Sequence, residues 1–234
     1  MKTPPPYDDM QLFRSGITNL YLLREGDAYL LVDAGVKKKE KAFFTFLRKE
    51  NIKPADIRYI FLTHTHYDHT GALAMVREIT HARILLHASE GEYLKQGFTP
   101  APKGTRTSTK IISFLGRKVF PGYSKYEPVT ADLLWEESGY RPEGFPARLL
   151  HTPGHTEGSA TLIWKERTAF VGDTLFGYEK DDCLPWFAND LQALKQSWQK
   201  LLNTPCQWFF PSHGKPVARE MLERSYKKHF PETD

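Results

Sequence analysis

Short apolar runs alternate along the chain with segments whose apolar residues recur at helical spacing, a pattern that predicts layered α and β structure. Runs rich in β-branched and aromatic residues predict strands over 19–23, 28–33, 57–63, 83–87, 147–151, 161–164, 168–172 and 207–210. Phe43, Phe44, Phe46 and Leu47 on a charged background predict a helix over 37–49, and a second is expected over 71–79. Asn189, with Gln192 three places on, reads as the capping pair of a helix bearing Leu191, Leu194, Trp198, Leu201 and Leu202. A last helix is expected over 217–228. The order of strands, helices, strands and helices suits two similar halves around one core.

Residues 96–144 break that pattern. They hold Pro100, Pro102, Pro121, Pro128 and Pro142 around an apolar run at 111–115, which reads as an insertion with one helix. An insertion of this length inside a compact domain is expected to be a lid or substrate loop. Charge sharpens the point: residues 99–128 carry a net +5, whereas the whole chain, with 32 Lys+Arg against 28 Asp+Glu, carries +4. The remainder is therefore close to neutral, and the protein as a whole is not a polycation built for nucleic acid.

The 234 residues, 40% of them hydrophobic, exclude disordered, collagenous and disulfide-scaffold classes. A chain this long buries about 70% of its unfolded surface without staples, so Cys183 and Cys206 are expected as reduced thiols, or at most as one bridge. The opening MKTPPPYDDMQLF has no apolar signal region, and no apolar run approaches the length of a membrane span. A cytoplasmic protein without a membrane partner is the expectation.

The chemistry concentrates in Thr63-His64-Thr65-His66-Tyr67-Asp68-His69-Thr70-Gly71, where three His and one Asp fall within six residues after an apolar strand. Neither packing nor a solvated turn requires three imidazoles, whereas imidazole nitrogen and carboxylate oxygen together suit Zn²⁺ and similar ions. Three more polar clusters follow strand-like runs: His151-Thr152-Pro153-Gly154-His155, Gly172-Asp173-Thr174-Leu175-Phe176 and Pro211-Ser212-His213-Gly214. Singly, each could be a cap or turn; their recurrence at strand ends beside a metal motif points to a common centre.

With Asn19-Leu20-Tyr21-Leu22-Leu23 and Leu31-Val32-Asp33-Ala34-Gly35 near the start and Ser212-His213-Gly214 near the end, the sequence resembles the metallo-β-lactamase superfamily over most of its length. The resemblance implies one domain over 1–234 with a four-layer αββα sandwich, including the 96–144 insertion. It implies a dinuclear centre: His64, His66 and His155 at the first metal, Asp68, His69 and His213 at the second, Asp173 bridging, and Asp33 supporting. Two zinc ions per chain, with iron or manganese as substitutes, would acidify a bridging water, and Asp68 would orient it and handle its proton. A dinuclear hydrolase of an ester, thioester, lactone or related bond is the leading expectation.

Subfamily departures narrow the field. The β-lactamases proper usually lack an aspartate where Asp173 stands, so penicillin hydrolysis is not expected. The strings around His155 and Asp173 are similar to glyoxalase II, but the 21 residues after His213 are too few for that family's helical glutathione-binding domain. An Fe(II) persulfide dioxygenase on the His64, His66 and His155 triad is the alternative, and a phosphodiesterase or nuclease is a further one. Specificity is expected from the insertion. There Lys103, Arg106 and Lys110 would attract an anionic small-molecule substrate and Tyr123 and Tyr126 would hold its apolar part, with Trp186 and Phe187 as an opposite wall.

Overall fold

The computed structural model describes residues 8–119 and 124–231, so Tyr123 lies outside the described residues. The chain divides into two compact units, each built on one sheet. Among the described residues, the N-terminal unit comprises 8–101 with 117–119 and 124–136, and the C-terminal unit comprises 102–116 and 137–231.

In the N-terminal unit, strands β1 (Met10–Ser15), β2 (Thr18–Glu25), β3 (Ala28–Val32), β4 (Ile57–Phe61), β5 (Arg83–His87) and β6 (Leu133–Trp135) lie side by side in chain order. The first three form antiparallel hairpins. Their two-residue turns open on Gly16 and Gly26, both at positive φ, the conformation tight hairpin turns demand. From β3 onward the strands run parallel. Helices α1 (Glu40–Lys49), α2 (Tyr67–Thr70) and α3 (Leu73–Thr80) supply the crossovers that parallel pairing needs, and α4 (Gly91–Gln96) follows β5.

Helix α1 buries Phe43 and Leu47, one turn apart, and α3 buries Leu73 and Val76. These pack on Leu20, Leu22, Leu31, Ile60, Ile84 and Leu86 of the sheet. Each such side chain contributes roughly 2 kcal/mol by leaving water. The alternate residues Tyr21, Leu23, Leu30, Phe61 and Leu85 are buried as well, which is why the strands read as unbroken apolar runs rather than alternating ones.

In the C-terminal unit the strand order is β11–β10–β9–β8–β7, with β7 (Ala147–His151), β8 (Ala160–Trp164), β9 (Thr168–Gly172), β10 (Trp208–Pro211) and β11 (Val217–Ala218). Only β9 and β10 pair in parallel, and α6 (Leu191–Leu202) makes their crossover. Trp198 is fully buried beside Leu194, Leu201 and Phe209, and its indole N–H donates to the Thr174 carbonyl at 2.8 Å. Helix α7 (Arg219–His229) adds Leu222 to the same core.

Four details differ from the sequence expectation. The cap of α6 is Asp190, whose carboxylate accepts the backbone N–H groups of Gln192 and Ala193; Asn189 is drawn off to accept the N–H of Lys103. The helix expected over 71–79 forms as α3, starting two residues later, and a separate turn, α2, that was not expected precedes it; at Gly71 between them a Cβ would stand 2.6 Å from the Tyr67 carbonyl. The stretch expected as a last helix over 217–228 begins as an edge strand, β11, before α7. The 96–144 stretch holds the expected helix, α5 (Thr107–Val119), but also donates β6 to the edge of a sheet. No described helix is long and apolar enough to cross a membrane.

Candidate metal centre

In the N-terminal unit the candidate ligands occupy the loop that leaves β4 and runs into α2. Asp33 follows β3 with φ of 61°, a left-handed conformation uncommon outside glycine, and its buried carboxylate organises the loop. It accepts the Thr63 N–H at 2.8 Å, the Thr63 hydroxyl at 3.0 Å and His69 Nδ1 at 2.8 Å. Because the Thr63 hydroxyl spends its one proton on Asp33, it accepts from His64 Nδ1 at 3.1 Å. His66 Nε2 donates to the Pro100 carbonyl at 3.2 Å. These bonds set the tautomers, leaving Nε2 of His64 and His69 and Nδ1 of His66 as the lone-pair nitrogens. The His64 ring lies 4.0 Å from that of His69 and 4.6 Å from that of His66, centroid to centroid. Asp68 Oδ2 is 3.6 Å from His69 Nε2 and accepts the Thr18 hydroxyl at 3.1 Å.

A second carboxylate, unseen in the sequence, clamps the same loop from its other side. Glu90, fully buried, accepts both the N–H and the hydroxyl of Thr65, the residue between His64 and His66. The Thr99 hydroxyl donates to the Thr65 carbonyl at 2.8 Å and lies 2.7 Å from the Tyr126 hydroxyl, which donates to the Tyr93 carbonyl. Burial pushes the Tyr126 phenol up to about 12. Tyr126 is thus placed inside this network. His87 is buried between the Ser89 N–H and the Glu136 carbonyl.

In the C-terminal unit three strand ends supply one residue each. His155 follows β7, Asp173 follows β9 and His213 follows β10. Asp173 Oδ2 stands 3.4 Å from His155 Nε2, and its Oδ1 stands 3.4 Å from His213 Nε2. His155 Nδ1 donates to the Phe187 carbonyl at 2.9 Å, so its Nε2 keeps the lone pair. Phe187 therefore touches the candidate site through its backbone.

Glycine makes these loops possible. Gly154 has φ of 136°, and a Cβ there would meet the Leu194 backbone of α6 at 2.7 Å. Gly177 donates its N–H to the His213 carbonyl, and a Cβ on it would lie 1.8 Å from the Lys215 carbonyl oxygen.

The residues expected to bind substrate are distributed unevenly. Lys103 and Lys110 are exposed. Arg106 instead pairs with Glu179 and lies 3.7 Å from Asp182. Trp186 is half-buried, with its indole N–H on Glu179 at 3.2 Å.

The model of the metallo-beta-lactamase superfamily matches residues 14–213. The chain belongs to that superfamily. It is 28% identical over 209 residues to the beta-lactamase-like protein 2 homolog of Drosophila melanogaster, covering 89% of this chain and 62% of that protein. It is 29% identical over 161 residues to the probable metallo-hydrolase MJ0888 of Methanocaldococcus jannaschii, covering 69% and 68% respectively. The crystal structure of the BLEG-1 B3 metallo-beta-lactamase superposes with a TM-score of 0.69 at 27% identity, over 95% of this chain and 98% of that one. The chain thus spans about three-fifths of the Drosophila relative and nearly all of BLEG-1.

The donor chemistry of this superfamily member fits metal. Two N or O ligands held at about 2.0–2.2 Å by a tetrahedral ion lie about 3.3–3.6 Å apart. The spacings of 3.4, 3.4 and 3.6 Å within the two groups match. Outer imidazole nitrogens held by a carboxylate, a hydroxyl or a backbone carbonyl are the usual support of metal-ligating histidines.

Proposed function

We propose that the protein is a dinuclear hydrolase, zinc-loaded by preference, that cleaves an ester, thioester or lactone bond in a small molecule. His64, His66 and His155 would hold one ion, Asp68, His69 and His213 the other, and Asp173 both. The observation that carries this reading is that every imidazole named in the two groups with a described partner at its outer nitrogen keeps its other nitrogen for a metal. Bound there, two ions supply a water acidified toward neutral pH and a Lewis-acid contact for the scissile carbonyl.

The side chains do the rest. Asp68, oriented by the Thr18 hydroxyl, aligns the attacking water and takes up its proton. Asp33 holds His69 in one tautomer, so that its lone pair does not wander between nitrogens. Lys103 and Lys110 offer exposed positive charge to an anionic substrate, whereas Arg106 is committed to Glu179.

Metal content after purification without added metal, combined with a thioester, lactone, phosphodiester and β-lactam panel, tests the reading. About two zinc per chain with turnover of a carboxylic ester or thioester is the expected result. One iron per chain with oxygen consumption on a persulfide would overturn it in favour of a dioxygenase, and turnover confined to the phosphodiester would overturn the bond class.

A further inference from the structure

The segment that leaves Asp173 carries a group of rings outside the ligand set. Phe176 meets His213 edge-on with centroids 5.0 Å apart, and Tyr178 lies nearly parallel to His213, at 6.3 Å and 26°. Tyr178 in turn stacks on Trp186 at 4.9 Å and 28°, with Phe176 6.1 Å from the same indole. Core packing accounts for Phe176, which is buried. It does not account for Tyr178, which keeps 43% of its surface exposed while stacked beside a candidate metal ligand.

The surface these rings make is rigid and uncharged. The Trp186 indole is pinned at one end by Glu179 and its carbonyl accepts the Thr105 N–H at 3.0 Å. Glu179 is neutralised by Arg106, whose hydrogen bond holds that carboxyl below its ordinary range. Thr105 is anchored through its hydroxyl to the Pro185 carbonyl, and Gly104 bridges to Phe187. An aromatic face held this firmly loses little entropy when a second ring is laid on it, and offset stacking favours a planar aromatic partner over an alkyl one.

We propose that Tyr178 and Trp186 form a recognition shelf for an aromatic acyl group, so that the preferred substrates are aryl-acyl esters or thioesters. This rests on the hydrolase reading for the position of the scissile bond beside His213. Tyr178 and Trp186 set specificity by contact with the substrate's ring and take no part in bond breaking.

The test compares benzoyl and acetyl thioesters of one thiol on the metal-loaded protein, as wild type, Tyr178→Phe, Tyr178→Ala and Trp186→Leu. Wild type should favour benzoyl in kcat/KM by more than the intrinsic reactivities of the two thioesters predict. Tyr178→Ala and Trp186→Leu should lower the benzoyl-to-acetyl ratio roughly three- to ten-fold, through KM rather than kcat. Tyr178→Phe should hold the wild-type ratio, and metal content should match wild type in all three. An unchanged ratio in Tyr178→Ala overturns the shelf while leaving the hydrolase intact.

If wild type hydrolyses neither thioester, thioester cleavage fails on its own, the hydrolase reading is decided by the remaining bonds of the panel, and the shelf is judged by binding. Benzoate, but not acetate, should quench tryptophan fluorescence, and Tyr178→Ala should abolish the difference. Equal response to both anions overturns it.

Discussion

Four candidate ligands of the N-terminal unit lie within six residues of one loop, whereas those of the C-terminal unit come from positions 155, 173 and 213, each at the end of a different strand. The first group is held by two buried carboxylates, Asp33 on one side and Glu90 on the other. The second is held by the sheet itself, because its spacing depends on the pairing of β9 with β8 and β10 and on loops that only glycine can form. A contiguous site fails when a clamp is lost; a dispersed one fails when the backbone is moved. The two should respond to different mutations.

The largest effect is expected from Gly177→Ala. With the Lys215 carbonyl 1.8 Å from the new methyl, the bridge between Gly177 and Gly214 has to part, shifting His213. A loss of about 3 kcal/mol, with metal content falling well below wild type, should be visible in urea unfolding paired with elemental analysis. A wild-type midpoint with full metal would show that the dispersed group tolerates backbone displacement.

Glu90→Leu should come next and strike the other group. It strips the acceptor from the N–H and hydroxyl of Thr65, at about 2–3 kcal/mol and with weakened zinc retention against a competing chelator. Glu90→Gln keeps an acceptor oxygen and should stay within about 1 kcal/mol of wild type. If leucine and glutamine behaved alike, the clamp would be packing and not hydrogen bonding.

The smallest effect is one of pH and belongs to the C-terminal unit. Burial alone would raise the Asp182 carboxyl, but hydrogen bonds from Lys228, the Leu184 N–H and His229 carry it down to about 2, against an ordinary 3.8. A depressed carboxylate stabilises the fold above its unfolded value and loses that contribution as pH falls through the folded one. Between pH 4 and 2, at most about 2 kcal/mol should disappear from the metal-free protein. Asp182→Asn should flatten that part of the stability curve, and an identical acid limb in the variant would assign the loss elsewhere.

The same contrast explains what could be read from the sequence. His64, His66, Asp68 and His69 announce themselves because no packing role demands such density. His155, Asp173 and His213 were legible only by their repeated position at strand ends and by resemblance. Strands β2–β5 and β7–β10 stand out as apolar runs, since both faces of each sheet demand them. β1 and β6, on the edge, leave Leu12 and Leu134 exposed and lack that signal. Glu90 could not be found, because its partner Thr65 is 25 residues away and nothing local marks the pairing. Tyr178 had a faint mark, an aromatic two places beyond Phe176, but only the fold stacks it on Trp186.

The cysteines carry a practical consequence. Cys183 and Cys206 are free and fully buried in the C-terminal unit, and burial pushes the Cys183 thiol up to about 12 and raises that of Cys206. In the native state almost no thiolate is within reach of an alkylating agent. Labelling therefore waits for the unit to open, and its rate is a stopwatch for that opening. Run with and without zinc, the same stopwatch would measure how far a bound ion fastens the three strand ends together, with no substrate in hand.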